Sequence, residues 1–334
     1  MTHGPIDIHT HIVPAQLPPY LGSSADIAWP SIRHTDACHA QVVIQGRNFR
    51  DITDACWSIE RRFEHTKEMG IGMQVLSPMP ELLSYWLPPK DAQLLARHIN
   101  EQIADMVRQA PDRFFGLGMV PLQDRDLAIA ELDHAVRALG LSGVELGTNI
   151  EGKPLGDPVF EPFFAAAEAL DAAIFVHPLR PAGAERIVGP RNLEAVIAFP
   201  CETALTIGSL ITGGVLERHP RLRLAFSHGG GGFGQILPRL QHSWSIDPAL
   251  RERVPSAPTE TARRLYYDSL VYSETALRFL IAQFGITQIV IGTDHPFGIM
   301  EKRPIARIDQ LALTDRERDL ILWGNARRFL GLEI

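Results

Sequence analysis

The chain has 334 residues, a formal net charge of −7, 45% hydrophobic residues and 21% charged residues. This composition is typical of a globular protein, and without a clustered Lys/Arg run we do not expect nucleic acid as a partner. No stretch approaches the ~20 consecutive apolar residues of a membrane span, and no charged-then-apolar leader precedes the first predicted strand, so we expect no membrane anchor and no signal peptide.

The first predicted element is a strand over residues 5–14, in which isoleucines alternate with two histidines. Residues 15–53 follow, where Pro, Gly and Ser residues interrupt any regular pattern. A short apolar run at 42–44 within this segment indicates a hairpin. A long segment of this kind is typical of a lid or a pocket wall. Helical spacing then runs over 53–69 and ends at Gly70.

From residue 72 onward, predicted strands and helices alternate. Strands are predicted at 72–77, 114–120, 143–147, 172–177, 222–228, 264–271 and 288–294. Helical spacing is found at 91–109, 126–139, 159–170, 202–218, beyond 232, and at 274–284 and 314–329.

Eight strands, most of them followed by a helix, predict an α/β fold of the (β/α)8 TIM barrel type. We expect a single domain over residues 1–334, with the 15–53 segment inserted after the first strand. A doubly wound open sheet is the competing architecture. No G-x-G-x-x-G follows the first strand, so the dinucleotide-binding version of that sheet has no support.

Two histidines in the first predicted strand have a spacing that suits metal binding. His9 and His11 are two residues apart, so in an extended strand their side chains project to the same face and can hold one metal ion. The motif alone is equally compatible with a strand that has a polar face, because metal sites need three or four ligands.

Further candidate ligands fall at the ends of other predicted strands. His177 ends the fifth strand, His228 the sixth and Asp294 the eighth, and in a barrel these ends meet at the C-terminal mouth. Three histidines and one carboxylate with an open position are typical of catalytic zinc. Not every histidine need be a ligand, because His228 in Ser-His-Gly-Gly-Gly also suits a general base or acid.

These motifs together resemble a known family. The chain is similar to the amidohydrolase superfamily, and within it to the branch of aminocarboxymuconate-semialdehyde decarboxylase and related aromatic-acid decarboxylases. The motifs that carry the resemblance are Asp7-x-His9-x-His11, His177-Pro178, Ser227-His228-Gly-Gly-Gly and Gly292-Thr-Asp294-x-Pro-Phe297. The similarity extends over nearly the whole chain.

The resemblance implies a set of roles. One divalent metal, most often zinc with manganese as the alternative, would be bound by His9, His11, His177 and Asp294. His228 would activate water. The substrate would be held by Arg50, by Arg239 from a second subunit, and by Phe297, so the resemblance also implies a homodimer.

The chain departs from the pattern of the muconate enzymes after His177-Pro178, and one further position bears on the number of metals. Leu179-Arg180 replaces the tryptophan that the muconate enzymes have after their His-Pro, and Arg180 is a candidate to bind a second carboxylate or a phenolate of the substrate. Glu145, at the end of the fourth strand, stands where two-metal amidohydrolases usually have a bridging lysine. This difference favours a site with one metal.

The function that this pattern predicts is metal-dependent decarboxylation. Loss of CO₂ leaves an electron pair on carbon, which a metal can stabilise as a Lewis acid while arginines orient carboxylates. We expect a small conjugated acid of aromatic catabolism, such as 2-amino-3-carboxymuconate 6-semialdehyde or a hydroxy- or amino-aromatic acid.

The sequence also leaves two alternative functions open and favours one cellular location. The same site would serve a hydrolase of lactones or amides or a hydratase of unsaturated diacids, and a barrel without activity would be a binding or scaffold protein. Three scattered cysteines, Cys38, Cys56 and Cys201, form no C-x-x-C pair and favour a cytoplasmic location.

Overall fold

The computed structural model describes residues 4–22, 27–190 and 193–332. Its main sheet has eight strands, β1 to β8, and their spatial order is their order in the chain. All of the neighbouring pairs are parallel. The strands span Ile6–Ile12, Met73–Pro78, Phe114–Gly118, Gly143–Gly147, Ala173–His177, Arg223–Phe226, Tyr266–Asp268 and Ile289–Val290.

The last strand returns to the first, which closes the barrel. Backbone hydrogen bonds cross this seam from Ile8 N to Ile291 O at 2.9 Å and from His11 N to the carbonyl of His295 at 2.7 Å. Asp294 N also donates to the carbonyl of His9, at 2.8 Å. The predicted (β/α)8 barrel is confirmed, and the seam brings the two ends of the predicted site together.

Strands β1, β2, β4 and β5 are buried along their whole length, as is typical of a parallel sheet covered by helices. Ile6, Val75, Leu117 and Phe175, from four of the strands, belong to one apolar cluster with Phe329 of the final helix. This packing holds the base of the barrel rigid beneath its mouth.

Thirteen helices, α1 to α13, are assigned in the described residues. They span Ile59–Met69, Pro89–Gln109, Arg125–Asp133, Glu161–Ala169, Phe199–Thr212, Val215–Arg218, Phe233–Ile246, Pro248–Arg253, Pro258–Ala262, Glu274–Phe284, Pro304–Asp309, Asp315–Asp319 and Asn325–Leu330. Local signals set their ends: the Ser58 side chain caps α1 by accepting from Arg61 N, and Gly70 ends it with φ 72°.

The inserted segment contains more structure than its irregular composition predicts. Strands at Ser31–His34, His39–Ile44 and Arg47–Thr53 form an antiparallel sheet. The predicted hairpin is its second and third strand, joined by a turn in which Gln45 and Gly46 have φ of 52° and 70°. Gln-Gly is a weak hairpin signal, which is why the sequence gives no clear indication of this sheet.

Among the residues that the structure describes, one helical segment meets the length and hydropathy criteria for a membrane span. It is Glu194–Thr212, with 19 residues and a mean hydropathy of 1.5. Core helices of globular proteins meet the same criteria, and 44% of the segment is buried. The segment combines one turn of π-helix with α5, and it contributes Phe199 to the mouth of the barrel.

Candidate active site

The four predicted metal ligands converge at the C-terminal mouth of the barrel. His9 and His11 lie on β1, His177 is the last residue of β5, and Asp294 follows β8. One donor atom from each residue lies within 4.8 Å of the other three, and all four residues are buried. Three imidazoles and one carboxylate at this spacing form a site for a divalent metal.

The imidazole rings are oriented by hydrogen bonds from their Nδ1 atoms. His11 Nδ1 lies 2.9 Å from the carbonyl of Pro78, and His177 Nδ1 lies 2.9 Å from the carbonyl of Pro178. A carbonyl only accepts, so each Nδ1 carries the proton and each Nε2 keeps its lone pair. The Nε2 atoms of His9 and His11 are buried without a hydrogen-bond partner in the described chain, which fits a bound cation.

Asp268, the last residue of β7, orients the third imidazole ring, that of His9. The sequence analysis did not select Asp268. Its carboxylate accepts from His9 Nδ1 at 2.6 Å, from Gly229 N at 2.8 Å and from Leu270 N at 3.1 Å. Burial lowers the pKa of His9, but the hydrogen bond and charge of Asp268 outweigh burial and raise it to about 9. A Cβ at Gly292 would lie 2.6 Å from the Cβ of Asp268, so only glycine permits this approach.

His228 stands beside the ligands on a strained backbone. Its φ is 54° and that of Asp294 is 62°, both in the left-handed region that non-glycine residues avoid. The His228 ring lies 5.1 Å from His177 and 5.2 Å from His9 between centroids. Burial, with the charge of His9, lowers the pKa of His228 to about 4, so its imidazole is neutral at pH 7.

A cavity of about 340 Å³ opens above the ligands, and Arg50, Phe297, His228 and Asp294 line it. The Phe297 ring stacks on His11 with centroids 5.3 Å apart and an interplanar angle of 20°. The guanidinium of Arg50 lies 4.4 Å from the centroid of Phe297. The structure therefore places the positively charged guanidinium of Arg50 and the aromatic ring of Phe297 in the same cavity as the candidate metal ligands.

Glu81 is a second cavity residue that the sequence analysis did not select. It lies in the 3₁₀ turn Pro80–Leu83, directly after β2, and is buried. One carboxylate oxygen lies 3.5 Å from Arg50 Nη2. Its place a few residues after the end of the predicted strand 72–77 was a signal that could have identified it.

The two other predicted substrate arginines lie elsewhere. Arg180 lines a neighbouring cavity of about 270 Å³, and its guanidinium lies 3.6 Å from the ring centroid of Trp86. Arg239 is exposed on α7, and the described residues that line the metal cavity do not include it. The roles of both residues in substrate binding stay predictions.

A buried arginine supports the ligands from behind. Arg62 donates to the carbonyl of His11 and, at 3.0 Å, to Gln74 Oε1, and its Nη1 lies 3.4 Å from His295 Nδ1. His295 Nε2 in turn lies 3.1 Å from His65 Nδ1. His295 therefore contacts Arg62 and His65, which are not candidate ligands, although it directly follows the candidate ligand Asp294 in the sequence.

Glu145 remains a carboxyl group where a bridging lysine would serve a two-metal site. It accepts a hydrogen bond from the Ser77 hydroxyl, and its Oε2 lies 3.7 Å from His11 Nδ1. Burial raises the pKa of Glu145 to about 8, so it is largely protonated at pH 7. A neutral acid at this position is consistent with the prediction of one metal.

A (β/α)8 barrel with three imidazoles and one carboxylate at its mouth defines a class, the metal-dependent barrel enzymes. The chain belongs to the amidohydrolase family, because the model of that family matches residues 6–332. The resemblance drawn from the motifs is thereby confirmed.

Several relatives of this chain are decarboxylases. The 2-amino-3-carboxymuconate-6-semialdehyde decarboxylase of Dictyostelium discoideum is 38% identical over 331 residues, which cover 98% of this chain and 92% of the relative. The apo structure of Metarhizium anisopliae IDCase has the same fold, with a TM-score of 0.82, 24% identity and coverage of 100% and 98%.

A further structural neighbour contains a metal. The dihydroxybenzoic acid decarboxylase of Polaromonas, solved with bound manganese and the inhibitor 2-nitroresorcinol, superposes with a TM-score of 0.72 at 23% identity. The match covers 82% of this chain and 86% of that chain. This likeness shows a shared fold.

Proposed function

We propose that this protein is a metal-dependent carboxy-lyase that decarboxylates a small conjugated acid of aromatic catabolism. Candidate substrates are 2-amino-3-carboxymuconate 6-semialdehyde and related hydroxy- or amino-aromatic acids. The observation that carries the proposal is the convergence of His9, His11, His177 and Asp294 beside Arg50 in one cavity. The decarboxylase relatives, above all the one at 38% identity, support the reaction type.

The donor set indicates the cofactor. Three imidazoles and one carboxylate suit zinc, which we propose as the bound metal, and manganese is the alternative. When bound, the metal supplies a Lewis acid that stabilises the electron pair left on carbon by the departing CO₂.

The residues around the metal ligands orient the substrate. Arg50 is placed to bind a substrate carboxylate, and its planar guanidinium fixes the direction of that group. Phe297 and Phe199 give the cavity apolar walls that suit a flat conjugated molecule. Such walls also exclude water, which strengthens each polar contact inside.

We assign the proton transfer to His228. Its neutral imidazole can accept a proton from a donor group of the substrate, and the resulting imidazolium can return that proton to the carbon that loses CO₂. Its Nδ1 is buried and lacks a partner in the described chain, so a ligand in the cavity can complete its hydrogen bonding. The predicted catalytic role of His228 therefore has geometric support.

A homodimer is part of the proposal. Arg239 is exposed on α7, and the same helix exposes Ile236 and Ile246, whose side chains are 46% and 66% accessible. An apolar helix face that also carries an arginine fits an interface through which Arg239 reaches the cavity of a second subunit. This supports the binding role that the resemblance implies for Arg239.

The cysteines support a reducing compartment, and we propose the cytoplasm. Cys38, Cys56 and Cys201 are all free thiols. Burial raises the pKa of the Cys56 thiol to about 12, so this group is protonated and unreactive.

The test of function is a substrate screen with the metal-loaded protein. Carboxymuconate semialdehydes and hydroxybenzoates are incubated with zinc- or manganese-loaded protein in H₂¹⁸O, and CO₂ release and ¹⁸O incorporation are measured. We expect CO₂ release and no ¹⁸O in the organic product beyond the spontaneous exchange of an aldehyde oxygen that occurs without protein. Incorporation of ¹⁸O into a carboxyl or hydroxyl group above that background, without CO₂, would establish a hydrolase or hydratase. His177→Ala, which removes one ligand, is the inactive control.

Sharing of active sites is tested with mixed variants. Arg239→Ala and His177→Ala proteins are each expected to be inactive alone. Mixed dimers contain one site with an intact metal set and an intact partner arginine, so they should recover up to half of the activity per mixed dimer. No recovery in mixed dimers purified through a different affinity tag on each variant would leave Arg239 either within the site of its own subunit or without a role in activity.

A further inference from the structure

Besides the imidazole nitrogens of His11 and His228, two buried polar atoms in the metal cavity have no hydrogen-bond partner in the described part of the chain. They are Nε of Arg50, a donor, and Oε2 of Glu81, an acceptor. Both residues line the cavity. Because buried polar groups in folded proteins are nearly always paired, an unpaired donor and acceptor in one cavity point to a ligand that pairs them.

The two groups stand side by side. Arg50 Nη2 lies 3.5 Å from Glu81 Oε1, which is the only contact between them that reaches hydrogen-bond distance in the described structure. This contact is at the long limit for a hydrogen bond, so it leaves most of the guanidinium and one carboxylate oxygen open. A ligand that meets both must carry its acceptor and its donor only a few ångströms apart.

The backbone beneath Glu81 is rigid. The 3₁₀ turn Pro80–Leu83 begins with a proline, and Leu82 and Leu83 are fully buried. Burial raises the pKa of Glu81, and the nearby charge of Arg50 opposes that shift. A charged neighbour and a fixed turn keep the carboxylate aimed at the cavity when no substrate is bound.

We propose that Arg50 and Glu81 form a two-point recognition site that selects the substrate. Arg50 binds a carboxylate, and Glu81 accepts a hydrogen bond from an O–H or N–H group on the same or a neighbouring carbon of the conjugated system. This inference rests on the proposed decarboxylase function and narrows its substrates to hydroxy- and amino-carboxylic acids. Glu81 is then a specificity-determining residue.

The experiment measures binding by calorimetry with zinc-loaded protein. The probes are 2- and 3-hydroxybenzoate, each compared with its methoxy analogue, which keeps the carboxylate and removes the donor. The ratio of the two dissociation constants reports on the donor contact alone. The variants are Glu81→Gln, Arg50→Gln and, as a matched charge control, Glu151→Gln, whose carboxylate is exposed in the neighbouring cavity.

We expect the unmodified protein to bind at least one hydroxybenzoate tenfold or more tightly than its methoxy analogue. Glu81→Gln should reduce this ratio below threefold, Arg50→Gln should weaken both acids by the same factor, and Glu151→Gln should leave the ratio unchanged. A ratio that survives in folded Glu81→Gln protein would overturn the proposal. A ratio near one for both isomers in the unmodified protein would also overturn it, without any variant.

The result is independent of turnover. If every ligand binds with the expected ratio and no acid releases CO₂, the decarboxylase proposal fails and the recognition site stands. If acids are decarboxylated and the donor makes no difference to binding, the recognition site alone fails.

Discussion

Replacing Asp268 by asparagine should weaken metal binding without removing a metal ligand. Asp268 Oδ1 accepts from Gly229 N and Leu270 N, and these amides will hold the asparagine oxygen in the same place. The amide nitrogen must then replace Oδ2, which lies 2.6 Å from His9 Nδ1. Two donors cannot face each other, so His9 shifts its proton to Nε2, the atom aimed at the metal.

The size of the effect follows from this tautomer change. Removing the group that orients a histidine ligand typically costs 10- to 100-fold in metal affinity. This corresponds to about 1.4–2.7 kcal/mol of binding free energy. The assay is a competition titration of zinc against a chromophoric chelator at pH 7.5, with thermal unfolding of the metal-free protein measured in parallel.

Glu131→Gln is the matched control. Glu131 is a buried carboxylate that accepts hydrogen bonds from Arg97 and Asn100 on the outer side of the barrel. Its substitution should lower thermal stability and leave the zinc dissociation constant unchanged. An Asp268→Asn protein that binds zinc as tightly as the parent would refute the argument that Asp268 sets the tautomer of His9.

Three further results are expected. Because the pKa of His9 is raised to about 9 in the metal-free protein, zinc binding below pH 9 must release a proton. The affinity for zinc should therefore fall up to tenfold for each pH unit of acidification, measured by titration between pH 6.5 and 8.5. A zinc affinity that does not change with pH would contradict this. His228→Gln should retain one metal per subunit by elemental analysis and lose at least 100-fold in kcat, whereas an unchanged rate would remove His228 from the proton transfer. Gly292→Ala should push Asp268 away from His9 and weaken zinc binding in the same titration, and full affinity would show that the strand can shift to accept a Cβ.

The barrel was predictable because its signal is repeated. Each apolar strand is followed by a helix or a turn that local residues define, and eight such units leave few topologies open. The ligand set was predictable for a related reason: His177 and Asp294 stand at strand ends, which a barrel brings to one mouth. The pattern therefore located residues that lie far apart in the sequence.

Residues that act on the ligands were harder to find. Asp268 is 259 positions from His9, and their contact exists only because the barrel closes. The predicted strand ran over 264–271 and so placed Asp268 inside it, whereas the observed strand ends at Asp268; the misplaced strand end concealed the signal that marked Asp294. Arg62 gave no such signal, because a helical arginine is normally exposed and its burial depends on packing against β1 and β2.

The ligands sit on both sides of the barrel seam, with His9 and His11 on the first strand and Asp294 just past the last. During synthesis the first two donors leave the ribosome long before the fourth exists. Binding by all four candidate ligands must therefore wait until the eighth strand has been made and has paired with the first. A cation bound there would link the first strand of the barrel to the segment that follows the last, and so would stabilise the closed barrel.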